Sequence, residues 1–98
     1  MKLSELRPGM ENLDLDLELV SLEEPREVET HTGVKHRLVE GRVRDASGSM
    51  SLTVWNEKIA ELEGVRPGDA LRLVDVFVTS YKRELSVNVG RDSSIEKR

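Results

Sequence analysis

The chain has 98 residues, a formal net charge of −4, 37% hydrophobic residues and no cysteine. That length suits one domain with a single small core, residues 1–98, and not two. The lack of cysteine excludes disulfides, thiolate metal sites and thiol nucleophiles, and with only two histidines no metal centre is expected.

The opening stretch MKLSELRPGM lacks the apolar centre of a signal peptide, and no later apolar run approaches the roughly 20 residues of a membrane span. The expectation is a cytoplasmic protein without a membrane partner. Leu13 to Val20, LDLDLELV, sets Leu13, Leu15, Leu17 and Leu19 against Asp14, Asp16 and Glu18, the pattern of a half-buried strand. The alternation breaks at Leu19-Val20 and resumes at Leu22, which predicts a bulge in a bent strand. EEPREVETHTG, punctuated by Pro25 and Gly33, reads as a long loop with room for a short hairpin.

VKHRLVEGRVRD is the second predicted strand, with Val39, Gly41 and Val43 on one face and Leu38, Glu40, Arg42 and Arg44 on the other. A glycine on the inner face permits a close backbone approach or a sharp bend. After the turn ASGS, MSLTVW is the third strand, with Met50, Leu52 and Val54 inward and Ser51, Thr53 and Trp55 outward. NEKIAELEGV is the one helix, short, with Asn56 as N-cap and Gly64 as its stop. The fourth strand follows RPGD, with Leu71 and Leu73 inward until a phase shift near Val74-Asp75 turns Val76 and Val78 inward. SYKRE reads as a loop or hairpin turn. LSVNVG is the fifth strand, with Leu85, Val87 and Val89 inward, and RDSSIEKR is a polar tail.

Five strands with one short helix between the third and fourth predict an all-β protein, an OB-fold or five-stranded Greek-key barrel. An SH3-like barrel is the nearest alternative, and the position of the helix favours the OB order.

The chain contains one Trp, one Phe and one Tyr. By the parity above, Trp55, Phe77 and Tyr81 all face outward, so the largest side chains are withheld from the core. Exposed rings suit the π-faces of unpaired bases, because stacking tolerates any sequence. Basic side chains can then track the phosphates. Arg42 and Arg44 on strand two, Lys35 and Arg37 near it, and Lys82 and Arg83 beside Tyr81 are the candidates, and Thr53 is placed to hydrogen-bond backbone or base.

The charge distribution allows this despite the negative sum. Residues 1–33 carry three basic and nine acidic side chains, residues 34–77 seven of each, and residues 78–98 five basic and three acidic. Asp14, Asp16 and Glu18 read as a solvated outer face that repels phosphate and not as a Mg²⁺ site. His31 and His36 have no third ligand and no nucleophile context, and they read as solvated or as minor ligand contacts. No serine shows a partner pattern for catalysis, so no enzyme and no cofactor are expected.

Several stretches resemble the single-OB-domain single-stranded DNA-binding proteins of archaea, relatives of replication protein A and of the metazoan sensor of single-stranded DNA. LRPGMENLDLDLELVS is similar to the opening and first strand of that family, and THTGVKHR to its loop before strand two. RDASGSMSLTVWNE, the most specific match, resembles its third strand, and VRPGDALRLVDVFVTSYKRELSVNVGR its fourth and fifth.

The resemblance implies bases stacked on Trp55, Phe77 and Tyr81, with Thr30, His31 and Lys35 of the preceding loop also touching the strand. It departs at Arg83-Glu84, where the family often has a glycine, and the recruiting tail of longer members has no counterpart. The expected function is sequence-tolerant binding of single-stranded DNA by a monomer associated with the nucleoid, protecting strands in replication, recombination or repair beside proteins of those processes. Single-stranded RNA binding, or an OB subunit serving protein interaction and assembly, are the alternatives.

Overall fold

The computed structural model describes Met1–Arg98. Seven strands form in chain order: β1 (Leu13–Leu22), β2 (Arg26–Glu29), β3 (Lys35–Asp45), β4 (Gly48–Trp55), β5 (Ala70–Tyr81), β6 (Glu84–Val89) and β7 (Ser94–Lys97). Two 3-10 helices complete the chain, at Leu3–Glu5 and Asn56–Leu62. β1 pairs antiparallel with both β3 and β5. β3 pairs with β4, β4 runs parallel to β6, and β6 pairs with β5. The circuit β1–β3–β4–β6–β5–β1 therefore closes into a five-stranded barrel, the OB-fold expected from the sequence. β2 extends β3 as a hairpin beyond the barrel, and β7 adds to β5.

Two breaks of alternation become two bulges. The register of β1 against β3 slips between Leu19 and Ser21. Gly41 pairs with Leu22 just past this slip, where a Cβ would stand 2.2 Å from the Ser21 carbonyl oxygen, so only glycine fits. On β5, Asp75 adopts φ 56°, and the pairing passes from Leu15↔Leu73 to Leu13↔Val76 with one extra residue on β5. The extra residue restores inward parity, so Leu71, Leu73, Val76 and Val78 are all buried. Bulges of this kind sharpen strand twist and let a small sheet coil shut.

The core is a single cluster of 17 buried residues, almost all Leu and Val, and none of the three aromatic rings belongs to it. Truncating one of its fully buried members, such as Leu52, to alanine is expected to cost about 2–5 kcal/mol. Leu3, in the first 3-10 helix, and Leu6, just after it, plug into this core. The Leu3 N–H donates to Asp45 Oδ2 at 2.8 Å, which pins the plug to the β3–β4 turn. Burial of Asp45 opposes its ionisation. Hydrogen bonds from the Ser47 hydroxyl and from the Leu3, Ser47 and Gly48 N–H groups outweigh that effect and hold its carboxyl below the usual value.

Four local expectations are corrected. The helix is 3-10 over Asn56–Leu62, and its Lys58–Glu61 ion pair at 2.9 Å suits a helix in which i and i+3 eclipse. Asn56 does not cap it: at φ 49°, its side chain turns back and accepts from the Arg37 N–H at 3.1 Å. Leu38, assigned to the outer face, is buried at the point where β2 pairs with β3. The polar tail contains β7: Ile95 is buried and its N–H donates to Glu61 Oε1 at 2.9 Å. That bond and Lys58 lower the Glu61 carboxyl pKa against the opposing effect of its burial.

Candidate nucleic-acid interface

β3, β4, β6 and β5 form one continuous outer face, and their registers set its residues in rows. Glu40, Thr53, Asn88 and Phe77 lie side by side in one row. Arg42, Ser51, Ser86 and Thr79 form the next. Arg44 and Ser49 stand at one end of a third row, whose far end is the Glu84↔Tyr81 pair. Trp55 pairs with Leu38 one row beyond Glu40. The rings thus border a floor of short polar side chains: Trp55 and Phe77 at one end, Tyr81 at the other.

A hydrogen-bond network fixes that floor. Trp55 Nε1 donates to Asn88 Oδ1 at 2.9 Å. Asn88 Nδ2 donates to Thr79 Oγ1 at 2.9 Å and to the Ser86 carbonyl at 3.0 Å. The Thr53 and Ser86 hydroxyls meet at 2.9 Å. Asn88 is only 3% exposed and Thr53 only 9%, so these groups are part of the scaffold. The sequence places Thr53 to hydrogen-bond backbone or base; its hydroxyl meets that of Ser86 and belongs to the floor.

The three rings differ in freedom. Trp55 is half-buried, anchored by Asn88 at one edge and met by His36 edge-on, with centroids 6.1 Å apart and planes at 88°. Phe77 is half-buried and lies against Gly90, where a Cβ would stand 2.9 Å from its Cε1; glycine there gives the ring its place. Tyr81 is 75% exposed and has only Lys82 Nζ over its ring, 5.4 Å from the centroid. Phe77 and Tyr81 sit four residues apart on one strand, about 13 Å at roughly 3.3 Å per residue.

The basic candidates divide. Arg42 crosses the floor to Glu84 at 3.3 Å and reaches the Ser49 and Ser51 hydroxyls at 3.4 and 3.5 Å. Arg44 is held by Glu18 at 2.6 Å and Lys35 by Glu27 at 3.8 Å. Arg37, Lys82 and Arg83 take part in no ion pair. Lys82 and Arg83 form the two-residue turn between β5 and β6 with φ 51° and 68°, a primed turn built without glycine. Lys35 and Arg37 share the parity of Val39, so the register sets them on the other side of the hairpin from His36 and away from the rings. Thr30 and His31 sit at the hairpin tip, where Thr30 Oγ1 bonds Thr32 Oγ1 at 2.8 Å and accepts from the Val34 N–H at 3.2 Å.

The acidic stripe of β1 is not simply solvated. Arg72 lies 3.9 Å from Asp14 and 3.7 Å from Asp16, Arg98 lies 3.4 Å from Asp16, and Arg44 takes Glu18. Asn88, Ser86, Thr79 and Gly90 were missed as site-forming residues. For Ser86 and Asn88 the only sequence signal is that the outward positions of LSVNVG carry short polar side chains rather than charges.

No family model matches the chain. It is 24% identical over 94 residues to the single-stranded DNA binding protein Ssb of Saccharolobus solfataricus. That alignment covers 96% of this chain, which spans 61% of the length of that curated relative. The second OB-fold domain of replication protein A from Methanococcus maripaludis superposes with a TM-score of 0.79 at 28% identity, over 99% of this chain and 92% of that one. The replication factor A related protein of Methanobacterium thermoautotrophicum gives a TM-score of 0.83 at 23% identity, over all of this chain and 89% of that one, a likeness of fold. The resemblance to archaeal single-stranded DNA-binding proteins and replication protein A domains, read from LRPGM through VNVGR, is upheld.

Proposed function

We propose that the chain binds single-stranded DNA without strong sequence preference and catalyses no reaction. The observation that carries this reading is that all three aromatic side chains lie outside the core and border one polar floor on a single face of the barrel. Bases stack on Trp55, Phe77 and Tyr81, each stack contributing about 1–3 kcal/mol. The floor hydroxyls lie between the rings, and Lys82 and Arg83 meet phosphate at the Tyr81 end. The likeness to a protein named for single-stranded DNA binding and to a replication protein A domain supports the same reading. On it, the protein acts as a monomer that protects exposed strands in replication, recombination or repair.

Few basic side chains on this face are free of carboxylates, so about two to four phosphate contacts are expected. The salt slope is then gentle, about −0.7 per contact. The test is titration of oligo-dT with the parent and with Trp55→Ala, Phe77→Ala and Tyr81→Ala at two salt concentrations. Each variant should remain folded and lose about 5- to 150-fold in affinity, the equivalent of one stack. If all three bind oligo-dT like the parent, the rings serve a protein partner instead. Tighter binding to oligo-U would move the assignment to RNA.

A further inference from the structure

We infer that Glu84 sets the specificity of this face, holding Arg42 in reserve so that polyanions unable to stack bind poorly; the inference rests on the single-strand reading above. Glu84 pairs across the β5–β6 strand junction with Tyr81, so its carboxylate stands on the line between that ring and the floor. It takes Arg42 at 3.3 Å and accepts from the Ser51 hydroxyl at 3.0 Å. Arg42 comes from β3 and Glu84 from β6, so the pair bridges over β4, the strand between them. In the free protein the central cation of the floor is therefore already neutralised. A phosphate that takes Arg42 must therefore compete with the Glu84 carboxylate.

The pair is exposed, with 45% of the Arg42 and 64% of the Glu84 side chain open to solvent. Exposed pairs are weak, so a ligand can open this one at little expense. A single strand that gains stacking energy from the rings can displace Glu84. A duplex, whose bases are unavailable, offers only phosphate and meets the repulsion without compensation. Discrimination built from a repulsive element is a general route to specificity. Ion pairs recur around β3, where Glu18 holds Arg44, Glu27 holds Lys35 and Glu40, one row from Trp55, holds Arg26, but only Glu84 stands directly opposite a ring in its register.

Glu84→Gln tests this. The amide keeps the side-chain length and can still accept from Ser51, but it neither repels phosphate nor holds Arg42 as an ion. Binding of a labelled oligo-dT and of a duplex of equal length is measured for parent and variant at 50 and 200 mM salt. Duplex affinity should rise more than oligo-dT affinity, narrowing the ratio between them. The oligo-dT affinity of the variant should fall about 2.5-fold further than that of the parent between the two salts, one extra contact at a slope of about 0.7. The extra salt-dependent contact should vanish when Arg42→Ala is added, since it is made by the Arg42 side chain that the variant frees, while the relief of repulsion by Glu84 should remain. If the parent binds oligo-dT but Glu84→Gln leaves the ratio and the salt slope unchanged, the role of Glu84 is refuted while the site stands. If the parent does not bind oligo-dT, the reading of the site falls and this inference with it.

Discussion

Replacing Asn88 with alanine should loosen both the barrel face and the Trp55 ring. Asn88 is 3% exposed and makes three side-chain hydrogen bonds, from Trp55 Nε1 and to Thr79 Oγ1 and the Ser86 carbonyl. At a net contribution of about 0.5–1.5 kcal/mol each, their loss amounts to roughly 1.5–4.5 kcal/mol. Thr79 is exposed and Trp55 half-exposed, so water recovers part of this, and an expected loss of about 2 kcal/mol remains. In a domain of this size that corresponds to a fall in Tm of roughly 8–16 °C. Trp55 then has no partner fixing its edge, and binding must order the ring at about 0.5–1.5 kcal/mol. Urea unfolding reads the first quantity, and anisotropy of a labelled oligo-dT, at a temperature where both proteins are folded, reads the second. Trp55→Phe is the control: it keeps a ring without the N–H, so Asn88→Ala should weaken binding less in that background. A variant that unfolds and binds like the parent would show that the Trp55–Asn88 bond positions nothing.

Arg83 holds φ 68° in the turn between β5 and β6, and Arg83→Gly should raise stability by about 1 kcal/mol by removing left-handed strain, read in a urea midpoint shift. The same variant should lower the salt slope of oligo-dT binding by at most one contact while leaving the stacking part intact. Asp45, Glu61 and Asp69 all have carboxyl pKa values below their ordinary 3.8, 4.5 and 3.8. The unfolded chain therefore takes up protons at these groups first as pH falls. The stability they confer is fully present above about pH 4.5 and is lost as pH drops through the lowered values, and Asp45→Asn should flatten that decline in an acid titration followed by circular dichroism.

The barrel was legible because its strands alternate cleanly and its irregularities leave marks. The broken alternation at Leu19-Val20 and the phase shift at Val74-Asp75 each became a bulge, and Gly41 marked the place where two backbones meet. The outward parity of the three rings was legible for the same reason. What stayed hidden depends on partners distant in sequence. β7 has one apolar residue in four, Ile95, and becomes a strand because the β5 edge is open to it. Leu38 and Thr53 carry outer parity but are buried, Leu38 where β2 joins β3 and Thr53 within the floor network, which parity alone cannot register. Pairing between charges was equally invisible: Arg42 and Arg44 read as free cations until the fold set Glu84 and Glu18 beside them.

Trp55 is the only tryptophan, so its emission reports on the proposed site without a label. The most direct test is to follow that emission while adding oligo-dT, and separately a duplex of equal length, at one salt concentration. Stacking of a base on Trp55 predicts saturable quenching by oligo-dT and little change with the duplex. Oligo-dT binding that is seen by anisotropy but leaves the Trp55 emission unchanged, or no binding at all, would contradict the account.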